Sequence, residues 1–112
     1  MNDLTWKEFE RVDVRVGTIL SAEEFKEAIK PAIKMTIDFG EEIGIKKSSA
    51  QITELYDKDM LLGKQILAVV NFLPRQIGPF TSEVLTLGVP NGDGHVVLVA
   101  PEINVENGVR LY

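Results

Sequence analysis

Apolar and polar residues alternate with a period of two along several short segments, which is typical of half-buried β-strands. The segment "VDVRVGTIL" alternates valines at positions 12, 14 and 16 with Asp13, Arg15 and Gly17, and we expect this strand to bend or bulge at the glycine. Every second residue from Ile33 to Phe39 is apolar and the residues between them are polar, so this segment is the clearest strand in the chain.

Further strands and two short helices are predicted along the rest of the chain. A third strand is expected around Ile43 and Ile45, and "KQILAVVNF" is apolar enough for a strand buried on both faces. "SEVLTLGV" predicts a fifth strand, and "HVVLVAP" adds β-structure after the glycine-rich turn "PNGDG". "TELYDKDML" predicts a helix that begins at Thr53. Near the N-terminus, Thr5 and Glu8 have the spacing of a capping box at the start of a helix.

This order of elements predicts an all-β fold with short helices. One helix between the third and fourth of five strands is the order of an OB-fold, and a closed barrel leaves no unpaired sheet edge. We therefore predict a five-stranded OB-fold Greek-key barrel, formed by a single domain of residues 1–112, with short N- and C-terminal extensions. Residues 1–11 would form the helical N-terminal extension. An SH3-like or other small β-barrel is the alternative.

Charge and composition narrow the classes of partner. Twelve basic and seventeen acidic residues give a net charge of −5, which argues against a broad phosphate-binding surface but leaves room for a local basic patch. There are no cysteines, which excludes disulfides and thiolate zinc sites and fits a reducing compartment. The longest apolar run, Ile66–Val70, is far shorter than the ~20 residues of a membrane helix. We expect a cytoplasmic protein without membrane insertion.

Residues for catalysis are scarce. His95 is the only histidine; it would be a metal ligand beside Asp93 or, as its turn context favours, an exposed hairpin residue. No nucleophile elbow, phosphate-binding loop or dinucleotide fingerprint occurs. The sequence therefore predicts a protein that is not an enzyme and that has no cofactor and no metal.

Two segments carry candidate binding residues. In "IKKSSAQI", Lys46 and Lys47 precede two serines, and such a group is either a phosphate contact or an ordinary solvated strand end. The segment "NFLPRQIGPFTSE" lies between two predicted strands, and its two prolines distinguish it from the short polar turn of a hairpin. There Arg75 could bind a carboxylate or a phosphate. Phe80 is either a stacking platform or a core residue.

Four blocks of this sequence resemble, in order, those of the CsaA family: "VDVRVGTIL", "PAIKMTIDFG", "GIKKSSAQIT" and "AVVNFLPRQIGPFTSEVLTLG". These are small cytoplasmic OB-fold proteins, related to the tRNA-binding domains appended to some methionyl- and phenylalanyl-tRNA synthetases. The resemblance runs from about Phe9 to the C-terminus, and the "K-x-S-S-A-Q-I-T" block distinguishes CsaA from other members.

The resemblance implies a homodimer, joined partly through the chain ends, that binds tRNA or other structured RNA and acts as a secretion-related chaperone for unfolded or export-bound polypeptides. A chaperone without RNA binding and a tRNA-delivering accessory subunit of a synthetase are the alternatives. The positions implied by the resemblance and the candidates from the two segments together give the predicted RNA- or peptide-binding residues: Lys46, Lys47, Ser48, Ser49, Gln51, Asn71, Arg75, Phe80, Ser82 and Glu83.

This chain departs from the family pattern in the proline-containing segment. The resemblance places a basic residue, a glycine and a lysine where this chain has Gln76, Pro79 and Thr81. Two positive charges are therefore absent from this segment, which favours a polypeptide over a phosphate as its ligand.

Overall fold

The computed structural model describes residues 2–112. In chain order, the elements are α1 (Trp6–Glu10), β1 (Val14–Glu24), β2 (Ile33–Asp38), α2 (Gly40–Ile43), β3 (Ile45–Ala50), α3 (Lys58–Leu61), β4 (Gln65–Val69), β5 (Arg75–Ile77), β6 (Phe80–Ser82), β7 (Leu85–Thr86), β8 (Gly88–Pro90) and β9 (Val96–Leu98). None of the helices among these residues is long and apolar enough to cross a membrane.

Five antiparallel strands form a nearly closed OB-like barrel, in the order β3-β2-β1-β4-β7. The long strand β1 pairs with β4 through its first half, from Val14 to Thr18, and with β2 through its second half, from Thr18 to Glu24. The single strand β1 therefore joins β4 to β2 in the barrel sheet. The mostly β fold and the OB barrel predicted from the sequence are confirmed.

The bulge in β1 does not lie at Gly17, as predicted, but between Ile19 and Ser21, where the pairing with β2 shifts by one residue. Gly17 has another role. A Cβ atom at this position would lie 2.6 Å from the side chain of Ile37 and 2.7 Å from the ring of Phe39. The glycine is therefore required because these two core side chains pack directly against its backbone.

The strands β1 and β4 are covered on both faces by two apolar clusters. The main cluster fills the barrel and includes Ile19, Ile37 and Ile66. A second cluster on the opposite face of the same two strands contains Val14, Val16, Leu67 and Val69, covered by Leu87 and Val99. The prediction that β4 is buried on both faces is therefore confirmed.

Two predicted element starts are wrong, and local hydrogen bonds give the reason. The helix expected from Thr53 spans only Lys58–Leu61, because the carboxylate of Asp57 caps it by accepting from the amides of Asp59 and Met60. The third strand begins at Ile45 instead of near Ile43. Residues Gly40–Ile43 form α2, and Gly44 ends it with a φ of 86°.

The proline-containing segment is not a loop but a β-hairpin, which corrects the sequence prediction. Ile77 pairs with Phe80 and Arg75 pairs with Ser82, so only Gly78 and Pro79 form the turn. Gly78 has a φ of 56°, and a glycine at the first central position is the pattern of a type II′ turn. A glycine followed by proline therefore makes a tight turn that has no polar side chain.

The predicted fifth strand is divided among three strands. At Leu87 the chain passes from one sheet to the other: its amide donates to the carbonyl of Leu67 in β4, and its carbonyl accepts from the amide of Val99. Beyond it, β8 and β9 form the predicted hairpin around "PNGDG", where the side chain of Asn91 accepts from the amides of Asp93 and His95.

The two chain ends meet along β1. The amide of Gly108 donates to the carbonyl of Val16, and the amide of Leu111 donates to that of Val14. The guanidinium of Arg110 donates to the carbonyl of Glu10 at 2.6 Å, which connects the C-terminal segment to α1. The capping box predicted for Thr5 and Glu8 is present in full. Both extensions therefore lie on one side of the barrel.

Candidate functional site

Side-chain hydrogen bonds together with one backbone hydrogen bond, not a regular ladder, close the barrel between β3 and the end of the hairpin at Ser82 and Glu83. The amide of Lys47 donates to the carboxylate of Glu83 at 3.0 Å, and the amide of Glu83 donates to the carbonyl of Lys47 at 2.7 Å. The amide of Ser49 donates to the hydroxyl of Ser82 at 3.1 Å. We call these contacts the seam. They bring together residues from both candidate segments identified in the sequence.

Two buried serines, Ser82 in the seam and Ser48 beside it, use their hydroxyl groups in hydrogen bonds within the barrel. The Ser48 hydroxyl lies 2.8 Å from that of Thr86 and donates to the carbonyl of Val84 at 3.3 Å, and the Ser82 hydroxyl donates to the same carbonyl. Among residues 2–112, no buried side-chain polar atom lacks a hydrogen-bond partner. The observed contacts of Ser48 and Ser82 are therefore structural, with no donor left over for a ligand.

Lys46 and Lys47 point to opposite faces of β3, because side chains alternate along a strand. Lys46 lies opposite Ile37 and shares the core-facing side with the buried Ser48, so it lies at the mouth of the barrel. Lys47 lies opposite Thr36 on the outer face. The sequence interpretation of two adjacent lysines contacting one phosphate together is therefore incompatible with the strand.

Phe80 docks the hairpin onto the outer face of the sheet. Its ring lies edge-on to that of Phe25, with 5.5 Å between centroids. The ammonium of Lys47 lies 5.6 Å and that of Lys34 5.8 Å from the centre of the Phe80 ring. Phe25 and Lys34 were missed by sequence reasoning, although the alternation in β2 had placed Lys34 on the polar face.

Gln76 and Thr81, which stand where the resemblance placed basic residues, form a neutral network on the other face of the hairpin. The Gln76 amide donates to the carbonyl of Gly78 at 2.8 Å, and its oxygen accepts from the Thr81 hydroxyl at 2.6 Å. This network leaves no cation on that face and ties the two strands together across the turn.

A cleft of about 320 Å³ lies between the hairpin and the seam. Its apolar walls include Phe72 and Leu73, and the side chain of Leu73 is 91% exposed. Arg75 lies on its rim, and none of the carboxylates in the described part of the chain lies within 4.0 Å of its guanidinium. The cleft thus combines exposed apolar surface with one cation that has no salt-bridge partner.

Asn71, Gln51 and His95, the other candidates from the sequence, do not line this cleft. The Asn71 side chain accepts from the amide of Asp13 at 3.1 Å and donates to the carbonyl of Arg11 at 2.7 Å, so it fixes the start of β1. Gln51 follows β3 and is exposed. His95 is half-buried in its turn, and no group of three or more metal-binding side chains occurs within residues 2–112.

Within residues 2–112, the pKa values of Glu8 and Arg15 are shifted. The hydrogen bond from the Thr5 hydroxyl lowers the pKa of Glu8 below its ordinary value of 4.5. The hydrogen bond to Asp13 raises the pKa of Arg15, so this guanidinium stays charged at any physiological pH.

Comparison with known proteins matches the chain to one family. The model of the putative tRNA binding domain matches residues 14–110, which include the barrel, the seam and the hairpin. The crystal structure of chaperone CsaA from Bacillus anthracis str. Ames superposes with a TM-score of 0.91 at 48% identity, over 99% of this chain and 100% of that one. The chain belongs to the CsaA family. Another CsaA chaperone protein, from Picrophilus torridus, is 52% identical, with a TM-score of 0.91 over 98% of this chain and 100% of that one.

This CsaA-family chain is also similar to part of an enzyme. The methionine–tRNA ligase of Archaeoglobus fulgidus is 32% identical over 109 residues, which is 97% of this chain and 16% of that protein. The chain spans only 15 to 16% of the length of such ligases. The likeness therefore concerns a domain of those enzymes.

Proposed function

We propose that this CsaA-family protein is a non-catalytic cytoplasmic binding protein, which binds tRNA or another structured RNA and holds unfolded or export-bound polypeptides. The single observation that carries the proposal is the cleft between the hairpin and the seam. Its apolar walls fit side chains of an extended polypeptide, and its rim cation Arg75 fits a phosphate or a carboxylate.

The match of residues 14–110 to the putative tRNA binding domain supports the RNA part of the proposal. Lysine and arginine side chains supply the affinity of such contacts. Lys47 and Arg75 are exposed, and Lys46 lies half-buried at the mouth of the barrel. OB barrels bind single-stranded and structured RNA on one face of the barrel, through its shape and through contacts with the RNA backbone.

The likeness to two CsaA chaperones over the whole chain supports the polypeptide part. The neutral network of Gln76 and Thr81 favours it further, because the hairpin offers apolar surface and few charges. A chaperone that binds polypeptides alone is therefore the second candidate. A tRNA-delivering subunit of a synthetase is the third, and it predicts a stable hetero-complex with that enzyme.

A homodimer is part of the proposal. Leu4, Trp6 and Tyr112 line a shallow cavity of about 390 Å³ formed by the two chain ends, and Trp6 is 83% exposed. Apolar surface of this kind on so small a barrel is typical of an interaction site. Pairing through this surface would join two weak clefts, so that a long ligand could engage both.

Fluorescence anisotropy of labelled bulk tRNA at about 50 and about 200 mM salt tests the RNA part, because phosphate contacts weaken steeply over this range. A labelled unfolded polypeptide is titrated in parallel. Tight tRNA binding that is lost at the higher salt supports an RNA-binding protein. Absence of tRNA binding at low salt, together with salt-insensitive polypeptide binding, would leave only the chaperone.

A further inference from the structure

Two lysines from neighbouring strands converge on one aromatic ring. Lys34 in β2 lies opposite Ser49, and Lys47 in β3 lies opposite Thr36, so both are diagonal neighbours on the outer face of the sheet. Their ammonium groups lie 5.8 and 5.6 Å from the centre of the Phe80 ring. The ammonium of Lys34 also lies 5.2 Å from the centre of the Phe25 ring, so Phe25 and Phe80 together hold both charges over the same small area of surface.

This arrangement changes what the two lysines can do. An ammonium within about 6 Å of an aromatic ring is attracted by its quadrupole, so each flexible side chain is held near one position. Two like charges that share a ring also repel each other, and an anion between them would relieve this repulsion. The pair is thus ordered before a ligand arrives, which reduces the entropy lost on binding.

Only one of the two ammonium groups has a carboxylate partner. Lys34 forms a salt bridge of 3.3 Å with Glu23, whose side chain is 71% exposed. None of the carboxylates in residues 2–112 lies within 4.0 Å of the Lys47 ammonium. The nearby carboxylate of Glu83 is engaged by the backbone amide of Lys47. An exposed ion pair such as that of Glu23 is weak, so a stronger anion could displace it.

We propose that Lys34 and Lys47 together bind one phosphodiester group of the bound RNA on the outer face of β2 and β3. The two free oxygens of a phosphodiester accept from two separate ammonium donors, which act as compact point charges. Phe80 positions Lys47 and, together with Phe25, positions Lys34; in this site it stacks on no base. The site rests on the proposed RNA binding and adds Lys34 to it.

Glu23 provides a specific test of this site, which is the change in RNA affinity when its charge is removed. Because its carboxylate competes with the phosphate for Lys34, removing its charge should strengthen RNA binding. A lysine that served only the stability of the sheet would give no such gain, since Glu23→Gln would then merely remove a surface ion pair.

The test is the anisotropy titration of labelled bulk tRNA at about 50 to 200 mM salt, with Lys34→Gln, Lys47→Gln, the double variant and Glu23→Gln. Lys58→Gln on α3 is the charge-matched control. Each single lysine variant should weaken binding by about 5- to 10-fold, and Glu23→Gln should strengthen it by about 2- to 3-fold. Neutralising one phosphate changes the slope of log K against log salt by about 0.7 to 0.9, so the double variant should lose about this amount and not twice as much.

Five results would overturn the site. These are unchanged affinity in both lysine variants, no gain in Glu23→Gln, an equal loss in Lys58→Gln, a loss of slope in the double variant that is about twice 0.7 to 0.9, and a loss that affects an acidic polypeptide but not tRNA. Lys34→Arg keeps the charge, so it should retain binding even if Lys34→Gln folds poorly. Absence of tRNA binding by the unaltered protein would overturn the proposed RNA binding as well, which distinguishes the two failures.

Discussion

The Ser82 hydroxyl accepts a hydrogen bond from the backbone amide of Ser49 at 3.1 Å. The amide lies at the edge of β3, where a neighbouring strand would ordinarily supply a carbonyl. A side chain therefore takes the place of a ladder bond and closes the barrel. Because an unpaired buried amide is costly, this contact accounts for a serine at a buried position next to the hairpin.

Replacing Ser82 with alanine should destabilise the protein by about 1 to 3 kcal/mol, because the Ser49 amide then has no partner. Urea unfolding measures this change in the free energy of unfolding. Ser21→Ala, which removes an exposed hydroxyl paired with Thr36, is the control and should cost less than about 0.5 kcal/mol. Equal stability of the two variants would show that the seam does not depend on this hydroxyl.

Gly17→Ala should destabilise the barrel by about 1 to 3 kcal/mol, because the added methyl group overlaps the side chains of Ile37 and Phe39. Thermal unfolding followed by circular dichroism would show it as a lower Tm. Gly92→Ala is the matched control, since a Cβ there meets no atom within 4 Å. A Gly17→Ala protein as stable as the control would contradict the packing described for this strand.

Thr5→Ala should bring the pKa of Glu8 back up toward its ordinary value of 4.5, because the hydroxyl hydrogen bond that lowers it is removed. A lowered carboxyl pKa stabilises the folded state fully above pH 4.5, and this contribution is lost as the pH falls through the lower folded value. NMR titration of the Glu8 side chain measures the shift. The same titration in Ser21→Ala should match the unaltered protein, and an unchanged Glu8 pKa in Thr5→Ala would refute the capping-box explanation.

Gln76→Arg combined with Thr81→Lys should raise tRNA affinity and make its salt dependence steeper, because two cations are added to a neutral face of the hairpin. If both reach phosphates, the slope of log K against log salt should become steeper by about 1.4 to 1.8. The variant Gln76→Met with Thr81→Val removes the network without adding charge. If that control also gained tRNA affinity, the loss of the hydrogen-bond network in the hairpin, and not the added charge, would explain the gain.

Trp6→Ala should convert the proposed dimer into a monomer, because it removes the largest exposed apolar side chain of α1. Light scattering at micromolar concentration gives the mass. Ile29→Ala truncates a fully exposed apolar side chain between β1 and β2, and this control should stay dimeric. A monomeric mass for the unaltered protein would exclude the dimer itself.

Local patterns in the sequence were sufficient for the elements that depend on neighbouring residues. Alternation located β1 and β2, since a half-buried strand needs apolar side chains at every second position, and a continuous apolar run located β4, which is buried on both faces. The capping box of Thr5 and Glu8 followed from spacing alone, because both partners lie within one helical turn. The order of strands and helix, together with the resemblance to the CsaA family, predicted the OB barrel and the segments that form the seam.

Contacts between residues far apart in the chain were decided only by the tertiary structure. The alternation of β3 separates Lys46 from Lys47, while pairing with β2 brings Lys47 close to Lys34, thirteen residues earlier. Ser82 appeared to be a binding residue from its hydroxyl, but burial against Ser49 uses that hydroxyl for barrel closure. A side chain's chemistry is encoded locally, whereas its partners and its access to solvent depend on which distant strands pack against it.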